Sequence, residues 1–367
     1  MSGAPPDSTQ SLIGSVAERP VHSVWIDNAR LLACAAVVLL HVAASAVVYA
    51  PLGSADWWAG NAWDAAMRWS VPVFVMLSGC LLLTPHSAAA SWQAQRRRMA
   101  RVLAPLLFWG LFYNAWLLLQ QAQLPSSLSA AWQALAAGLA RSWLAGAPHF
   151  HLWFLSMLAG LYLLTPWLSR HSAAMPTAQR RALSLALLAI AAMLSLVQHG
   201  GLRLLPALFF TLWLPFLGYY LYGSTLQQAP ATAPRRSAAA PLLFGLAMLA
   251  TMFGLYAVAL RHGLAAGLYF YDYFSPGVIA MSLAAVHLLR RLQRPLLGRA
   301  TSAVARHTLG IYLLHPLVLD AIGSYRLLRP DALTQWAFIP LVAACTLLIS
   351  LLLSALLARL PGLRCVV

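Results

Sequence analysis

Ten apolar runs, each about as long as a membrane-crossing helix, constrain this chain more than any other feature of its sequence. A helix needs about 20 apolar residues to cross the hydrocarbon core of a bilayer, and no long polar segment separates these runs. The sequence therefore predicts an all-α, polytopic membrane protein of about ten transmembrane helices in one membrane domain. The predicted spans are 29–50, 61–83, 102–121, 151–169, 182–198, 205–226, 241–260, 267–289, 303–322 and 336–358.

The arginines decide the predicted orientation, because all 24 basic residues of this chain, whose net charge is +16, are Arg. They lie in the short connections between the apolar runs and not on one face of a soluble domain, which argues against nucleic-acid binding. Connections rich in basic residues stay in the cytoplasm. We therefore expect both termini to be cytoplasmic, since only a few arginines then fall outside: Arg141, Arg203, Arg261, Arg326 and Arg329.

The composition divides the chain into three parts. The first is rich in Ser, Pro and Ala and lacks the charged and apolar regions of a signal peptide, so we expect a disordered cytoplasmic tail. The parts are this tail (1–22), the transmembrane domain (23–360) and a cytoplasmic C-terminal tail (361–367). Within the external connection 122–150, apolar residues recur at helical spacing after Ser129, which predicts an amphipathic helix on the outer surface: Trp132, Leu135, Leu139 and Trp143.

The first helix carries the strongest functional candidates. Arg30 lies at its predicted membrane boundary, and His41 follows eleven residues later, near mid-depth. At 1.5 Å and about 100° per residue, the two lie roughly 16 Å apart on one face of the helix. Arg30 alone also fits a boundary anchor, but a histidine at mid-depth is costly unless it functions as a base or acyl carrier. Asp27 either stabilises the first turn or holds the Arg30 guanidinium.

Two further features lie on the third and ninth helices. Arg98 and Arg101 stand three residues apart on one helical face, which suits either a topogenic charge cluster or a site for phosphate groups. The ninth helix runs in the same direction as the first, so His315 lies at about the depth of His41. The alternative for His315 is a satisfied histidine in a packing helix kinked by Pro316.

A third group of residues marks the outer ends of three helices. Arg68 lies four residues after Asp64, Tyr271 and Asp272 lie at the outer end of the eighth helix, and Trp153 opens the fourth. Aromatic rings and a carboxylate are suited to holding a sugar. An interfacial aromatic belt and a self-contained ion pair are the alternatives.

His149 and His151 precede Trp153 and share this ambiguity between an aromatic belt and a sugar site. The chain contains 11 His in all, and no spacing among them predicts a metal site. We therefore expect no bound metal.

Taken together, these motifs resemble the acyltransferase-3 family of integral membrane O-acyltransferases, over about 24–358. The string WIDNAR at 25–30 followed by His41 resembles the family's Arg-x10-His signature, and residues 98–101 resemble its Arg-x-x-Arg motif. The WIDN and HLWF strings most resemble the branch that O-acetylates enterobacterial common antigen. Later landmarks of the family are similar to 70–79, 151–154 and 302–316.

The resemblance implies an O-acyltransferase of the bacterial inner membrane, with no bound cofactor and no nucleic-acid partner. It implies transfer of an acetyl group from cytoplasmic acetyl-CoA, the co-substrate, to a hydroxyl of a cell-surface glycan or its lipid-linked precursor. A basic inner mouth, a mid-depth imidazole and an aromatic outer mouth fit that reaction. We assign catalysis to His41, Arg30, Asp27 and His315, acyl-CoA binding to Arg98, Arg101 and Arg30, and acceptor binding to Asp272, Trp153, Arg68 and Tyr271.

Two other function classes remain open at this point. A transporter or exporter of an anionic metabolite or glycan intermediate would also use many helices, intramembrane arginines and prolines. Against it, the sequence shows no matched pair of interrupted helices in its two halves. A non-catalytic partner in envelope assembly is the third possibility.

Overall fold

The computed structural model describes residues 24–83, 92–120, 128–202, 208–226, 238–322 and 334–367. Within these ranges the chain forms helices and turns but no strand, which confirms the all-α prediction for this part of the chain. The helices are α1 (Val24–Tyr49), α2 (Ala55–Met67), α3 (Ser70–Leu82), α4 (Trp92–Gln120), α5 (Leu128–Leu144), α6 (Trp153–Ala174), α7 (Thr177–His199), α8 (Leu217–Gly223), α9 (Ala239–His262), α10 (Leu264–Gly267), α11 (Pro276–Leu289), α12 (Thr301–Ala305), α13 (Thr308–Ile322) and α14 (Gln335–Leu357).

Several of these helices identify a membrane protein. Three more predicted spans are helical in α4, α6 and α13, whereas the count of ten spans and the orientation stay predictions. The predicted tail 1–22 lies outside the described residues. Six helical stretches are long and apolar enough to cross a bilayer: Val24–Tyr49, Ala55–Leu82, Thr177–His199, Ala239–His262, Leu264–Leu289 and Gln335–Leu357.

The predicted span 205–226 is not a continuous helix. Turns occupy 209–216, and only the seven residues of α8 are helical. Pro215 explains the difference, because proline lacks an N–H donor and disfavours helical backbone at the residue before it. The segment nevertheless runs through the interior, since residues 218–226 are all buried. Irregular backbone is tolerated at membrane depth where protein surrounds it.

Two of the membrane-crossing stretches are interrupted. Arg68 and Trp69 form a turn between α2 and α3, and Pro72 has no N–H to donate to the Arg68 carbonyl four residues earlier. In the other stretch, a 3-10 turn (Leu268–Tyr271) precedes α11. There the Ser275 hydroxyl accepts a hydrogen bond from the Val278 amide at 3.4 Å and caps α11. Both breaks lie beside polar side chains of the candidate site.

The core is built around α1, which packs against α2, α3, α13 and α14. The closest helix contact is between α3 and α8. A Cβ atom on Gly79 would overlap the backbone carbonyl of Tyr220, and one on Gly223 would overlap that of Met76. The two backbones are therefore in direct contact, which fixes the irregular 208–226 crossing against α3.

The external connection contains the predicted helix, α5, although 122–127 lies outside the described residues. Ser129 lies inside this helix and does not precede it. Trp143 packs against the core, whereas Trp132 is exposed. One side of α5 is thus held by the protein, and its contact with a membrane surface stays a prediction.

Candidate active site

A cavity of about 470 Å³, which we name the basic cavity, lies between α1, α3, α4, α6 and α13. Four guanidinium groups line it, those of Arg30, Arg98, Arg101 and Arg306, together with mainly apolar side chains. Nη1 of Arg98 is buried and has no hydrogen-bond partner in the described part of the chain. Among the residues that the structure describes, no acidic one lines this cavity, so it suits a ligand with anionic groups and an apolar portion.

The structure brings together all three arginines that the sequence assigned to acyl-CoA binding. Arg306, at the junction of α12 and α13, is a fourth that the sequence analysis did not assign. Its position directly before His307 at the start of the ninth predicted helix was visible in the sequence. Its approach to Arg98, more than 200 residues away, depends on how α4 and α13 pack.

Asp27 lies at the basic end of α1 and not beside His41. Its Oδ2 accepts a hydrogen bond from the Ser302 hydroxyl at 2.6 Å, and its Oδ1 lies 3.8 Å from Nη1 of Arg30. The next residue, Asn28, donates to the carbonyls of Leu292 and Arg294 at 2.8 and 2.9 Å. Asp27 therefore orients Arg30 and joins α1 to α12, whereas Asn28 joins α1 to the segment before α12. Asp27 is too remote for direct contact with His41.

A second cavity, of about 450 Å³, contains all four residues that the sequence assigned to the acceptor. We name it the aromatic cavity. Arg68 lies at its wall, with Nη2 2.8 Å from Oδ2 of Asp64 and its guanidinium 4.0 Å from the ring centroid of Tyr271. Trp153 and Asp272 complete the predicted set.

Two members of that set are partly engaged in holding the fold. The Tyr271 hydroxyl donates to Oδ1 of Asn61 at 2.7 Å, so Tyr271 offers its ring and not its hydroxyl to a ligand. Oδ1 of Asp272 accepts from the Phe274 amide at 2.7 Å and fixes the turn before α11. The carboxylate can still present its second oxygen to the cavity.

The lining of this cavity also includes aromatic residues that were not assigned from the sequence, among them Tyr273 and Phe216. Tyr273 and Phe216 each lie with their ring centroid 5.7 Å from that of Trp153. Tyr273 belongs to the tyrosine cluster that the sequence showed, whereas Phe216 belongs to the irregular crossing. Only the interruption of that crossing places Phe216 beside Trp153.

His41 lies on α1 between the two cavities. Val38 lines the basic cavity and Ala44 lines the aromatic cavity, and none of the described residues lines both. Residues of one helix also line different cavities at the start of α6, where Trp153 lines the aromatic cavity and Phe154 lines the basic one. The cavities thus approach each other from opposite directions at the level of His41.

A partition of aromatic rings closes the basic cavity at this level. The ring centroid of Phe154 lies 6.1 Å from that of Phe74 and 5.6 Å from that of Tyr312. All three residues line the basic cavity. The Tyr312 ring also lies 5.3 Å from His151, which joins this partition to the histidines described next.

Four histidines meet at the partition. The ring of His41 stacks on that of His315 at 5.1 Å, which agrees with the expectation that both lie at one depth. His315 is 5.5 Å from His151, and Nδ1 of His151 lies 2.8 Å from Nδ1 of His149. Sequence analysis did not place His149 and His151 with the catalytic candidates, and no local signal in the sequence could have done so.

The tautomer of His315 follows from the proline beside it. Pro316 has no N–H and cannot bond the Tyr312 carbonyl four residues earlier. Nδ1 of His315 takes that carbonyl as its partner at 2.7 Å, so Nδ1 carries the proton. Nε2 of neutral His315 is then an acceptor, and it is buried with no hydrogen-bond partner among the residues the structure describes. His315 therefore presents a lone pair to the site.

Two tyrosines hold the other histidines in place. The Tyr113 ring stacks on His149 at 4.2 Å, and its hydroxyl donates to the Leu313 carbonyl at 2.6 Å. The Tyr312 hydroxyl donates to the backbone carbonyl of His151. Burial lowers the pKa of His149, in the segment between α5 and α6, to about 4, so its ring is neutral at pH 7.

The fold and site together define a helical membrane protein with a histidine cluster between two unlike cavities. The family model described as an acyltransferase domain, acyltransferase-3, matches residues 23–355. The chain therefore belongs to the acyltransferase-3 family and is a membrane-associated acyltransferase. No curated protein and no solved structure matches the chain significantly.

Proposed function

We propose that this protein transfers an acetyl group from cytoplasmic acetyl-CoA to a hydroxyl of a cell-surface glycan or its lipid-linked precursor, in a bacterial inner membrane. The observation that carries the proposal is the position of His41 between two cavities of opposite character. One cavity offers cations to a donor, and the other offers aromatic rings and a carboxylate to an acceptor. One imidazole lies between them.

The basic cavity supports the choice of a CoA thioester as the donor. CoA carries phosphate groups at one end and a long, uncharged pantetheine arm at the other. The guanidinium groups of Arg30, Arg98 and Arg101 suit the phosphates, and the apolar wall formed by Cys34, Val38 and their neighbours suits the arm. The arm then points along α1 from Arg30 towards His41.

The chemistry needs one bond exchange and one proton transfer. The C–S bond of the thioester breaks, a C–O bond to the acceptor forms, and the hydroxyl proton ends on the CoA sulfur. His41 either carries the acetyl group between donor and acceptor or acts as the base for a direct attack. In both cases His315 offers an adjacent lone pair at Nε2.

The aromatic cavity supports a sugar as the acceptor. Rings of Trp153 and Tyr273 suit stacking against a pyranose face, and Asp272 suits hydrogen bonds from its hydroxyls. The branch that O-acetylates enterobacterial common antigen, which the WIDN and HLWF strings resemble, supports an envelope glycan of this kind.

The transporter alternative is not favoured. Two crossings of the structure are interrupted, so continuity of the helices no longer argues against a transporter. The family assignment does argue against it, and it argues equally against a non-catalytic assembly partner.

The experiment that separates these functions uses purified protein in detergent micelles, where no gradient can exist. We expect acetyl-CoA to be consumed, with free CoA detected by a thiol reagent, and the rate to increase when glycan acceptor is added. The matched variant is His41→Ala, with His262→Ala as a control because His262 is exposed. No consumption of acetyl-CoA by the folded wild-type protein under any acceptor condition would contradict the proposal.

A further inference from the structure

The histidines His149 and His151 are buried polar groups that the acyl-transfer scheme does not use. They lie in the non-helical segment between α5 and α6, with relative exposures of 7% and 2%. Neither lines the aromatic cavity, so neither is placed to bind a sugar there. Burying two imidazoles side by side is unfavourable unless their nitrogens are used.

These two rings extend the pair at the centre of the site into a continuous series. The order is His41, His315, His151 and His149, with centroids 5.1 Å apart for the first contact and 5.5 Å for the second. The third contact is a direct one, 2.8 Å between the two Nδ1 atoms. The titratable groups that face the series are Tyr113 from α4, Tyr312 from α13 and Arg68 from the turn between α2 and α3, whose charge acts on His41.

The donor and acceptor roles of the nitrogens along this series depend on one another. One Nδ1 of the His149–His151 pair must donate and the other must accept, and shifting that proton changes the tautomer of His151. Nε2 of His151 is therefore an acceptor in one arrangement and a donor in the other. Like Nε2 of His315, it is buried without a hydrogen-bond partner in the described ranges. These two nitrogens do not bond each other directly, so a proton passes between the adjacent rings through one bridging water.

We propose that His151 and His149 form a proton relay that serves His315 during acyl transfer. The inference rests on the proposed acyl transfer and adds two residues to it. When the acceptor O–H bond breaks and the C–O bond forms, the proton passes to Nε2 of His315, by way of His41 where His41 is the base. His315 passes it to Nε2 of His151, and the Nδ1 proton of His151 moves to Nδ1 of His149. The reverse movement returns the proton, which ends on the sulfur of the departing CoA.

Burial disfavours a positive charge on His149, and the ring of Tyr113 offsets part of that cost at the end of the relay. The Tyr113 ring lies parallel to the imidazole, 4.2 Å away with an interplanar angle of 13°. A cation over an aromatic face is stabilised by the ring quadrupole, more so where water is excluded. The relay thus moves the charge away from His41 while the acetyl group is transferred.

The test replaces His149 by Phe, which keeps a ring stacked on Tyr113 but removes both nitrogens. We expect kcat for acetylation of the glycan to fall roughly 10- to 100-fold, with the KM for acetyl-CoA changed less than about 2-fold. The control is His262→Phe, the same substitution at an exposed histidine that lines neither cavity. It should leave kcat within about 2-fold.

A second variant separates proton transfer from packing. His149→Ala leaves a space, and added imidazole should restore part of the lost kcat, whereas added benzene, which has no nitrogen, should not. If His149→Phe cannot be purified folded, this rescue decides the matter alone. Wild-type kcat in His149→Phe, or loss in folded His149→Ala that imidazole does not restore, would overturn the relay and leave the proposed acyl transfer intact. A wild-type protein that never consumes acetyl-CoA would overturn both.

Discussion

The basic and aromatic cavities are similar in volume, about 470 and 450 Å³, but they are built in different ways. In the basic cavity, positive charge comes from side chains near the first turns of α1, α4 and α13. In the aromatic cavity, about half of the lining comes from interrupted segments, namely the break at Arg68, the turn at Asp272 and the irregular crossing at Phe216.

The difference shows how each cavity suits its ligand. Phosphates are held by charge, which tolerates long side chains on regular helices. A sugar is held by ring faces and directed hydrogen bonds, which need side chains fixed from several directions. Irregular backbone supplies those directions, and α1 connects both cavities through His41.

The largest effect is expected at His41, which lies on α1 between the two cavities. His41→Ala should lower both acetylation of the glycan and hydrolysis of acetyl-CoA by about 10²- to 10⁴-fold, because the imidazole serves both reactions. Rates with and without acceptor measure both effects in one preparation. A variant that keeps a tenth of the wild-type rate would show that neither reaction requires His41.

The second prediction tests the basic cavity alone. The double variant Arg98→Ala/Arg101→Ala should raise the KM for acetyl-CoA about 10- to 100-fold, since two charge-assisted contacts with phosphate are lost. It should also weaken the dependence of KM on salt. The matched control is Arg96→Ala/Arg97→Ala, whose arginines belong to the same run but are exposed and do not line the cavity.

Equal KM values in the two double variants would identify the arginine run as a determinant of topology only. The proposal that positive charge in the basic cavity binds the donor would then be wrong. The affinity for CoA, measured by calorimetry, checks the result independently of catalysis.

The third prediction tests the aromatic cavity alone. Asp272→Asn keeps an oxygen for the Phe274 amide and so should preserve the turn, but it removes the charge offered to sugar hydroxyls. Acetylation of the glycan should fall roughly 5- to 10-fold, while hydrolysis of acetyl-CoA stays within about 2-fold. A parallel loss of both rates would assign Asp272 to the fold and not to the acceptor.

The smallest effect is expected at Tyr271. Tyr271→Phe keeps the ring beneath the Arg68 guanidinium but loses the hydrogen bond to Asn61. The free energy of unfolding should fall by about 1 kcal/mol, with acetylation changed less than about 2-fold. Thermal unfolding and glycan kinetics on the same sample measure both quantities. A large loss of acetylation at unchanged stability would show that the hydroxyl contacts the acceptor.

The sequence predicted what depends on one helix at a time. Hydropathy located the apolar helices, and the spacing of Arg30 and His41 placed both on one face of α1, because helical periodicity is a local property. The Arg98–Arg101 pair follows from the same reasoning. The prediction of a continuous helix over 205–226 is wrong, because Pro215 outweighs the hydropathy that suggested it.

The sequence could not predict what depends on packing between distant segments. His149 and His151 reach His315 only because the segment before α6 enters the interior beside α13 and Tyr312 holds its backbone. Phe216 reaches Trp153 only because its crossing is irregular. Side-chain periodicity carries no information on such contacts. The tautomer of His315 could be predicted only in part. The sequence shows that Pro316 leaves the Tyr312 carbonyl without its helical donor, but only the structure shows that Nδ1 of His315 bonds it.

The ring partition formed by Phe74, Phe154 and Tyr312 has a consequence for membrane energetics. If the two cavities open to opposite faces of a bilayer, as the proposed function requires, water that joined them would conduct ions and dissipate the transmembrane voltage. Moving one elementary charge through 100 mV releases about 2.3 kcal/mol, so even a narrow leak would have a strong driving force. We therefore expect the three rings to act as electrical insulation as well as a wall, and an acetyl group transferred between the cavities to pass them without an accompanying file of water.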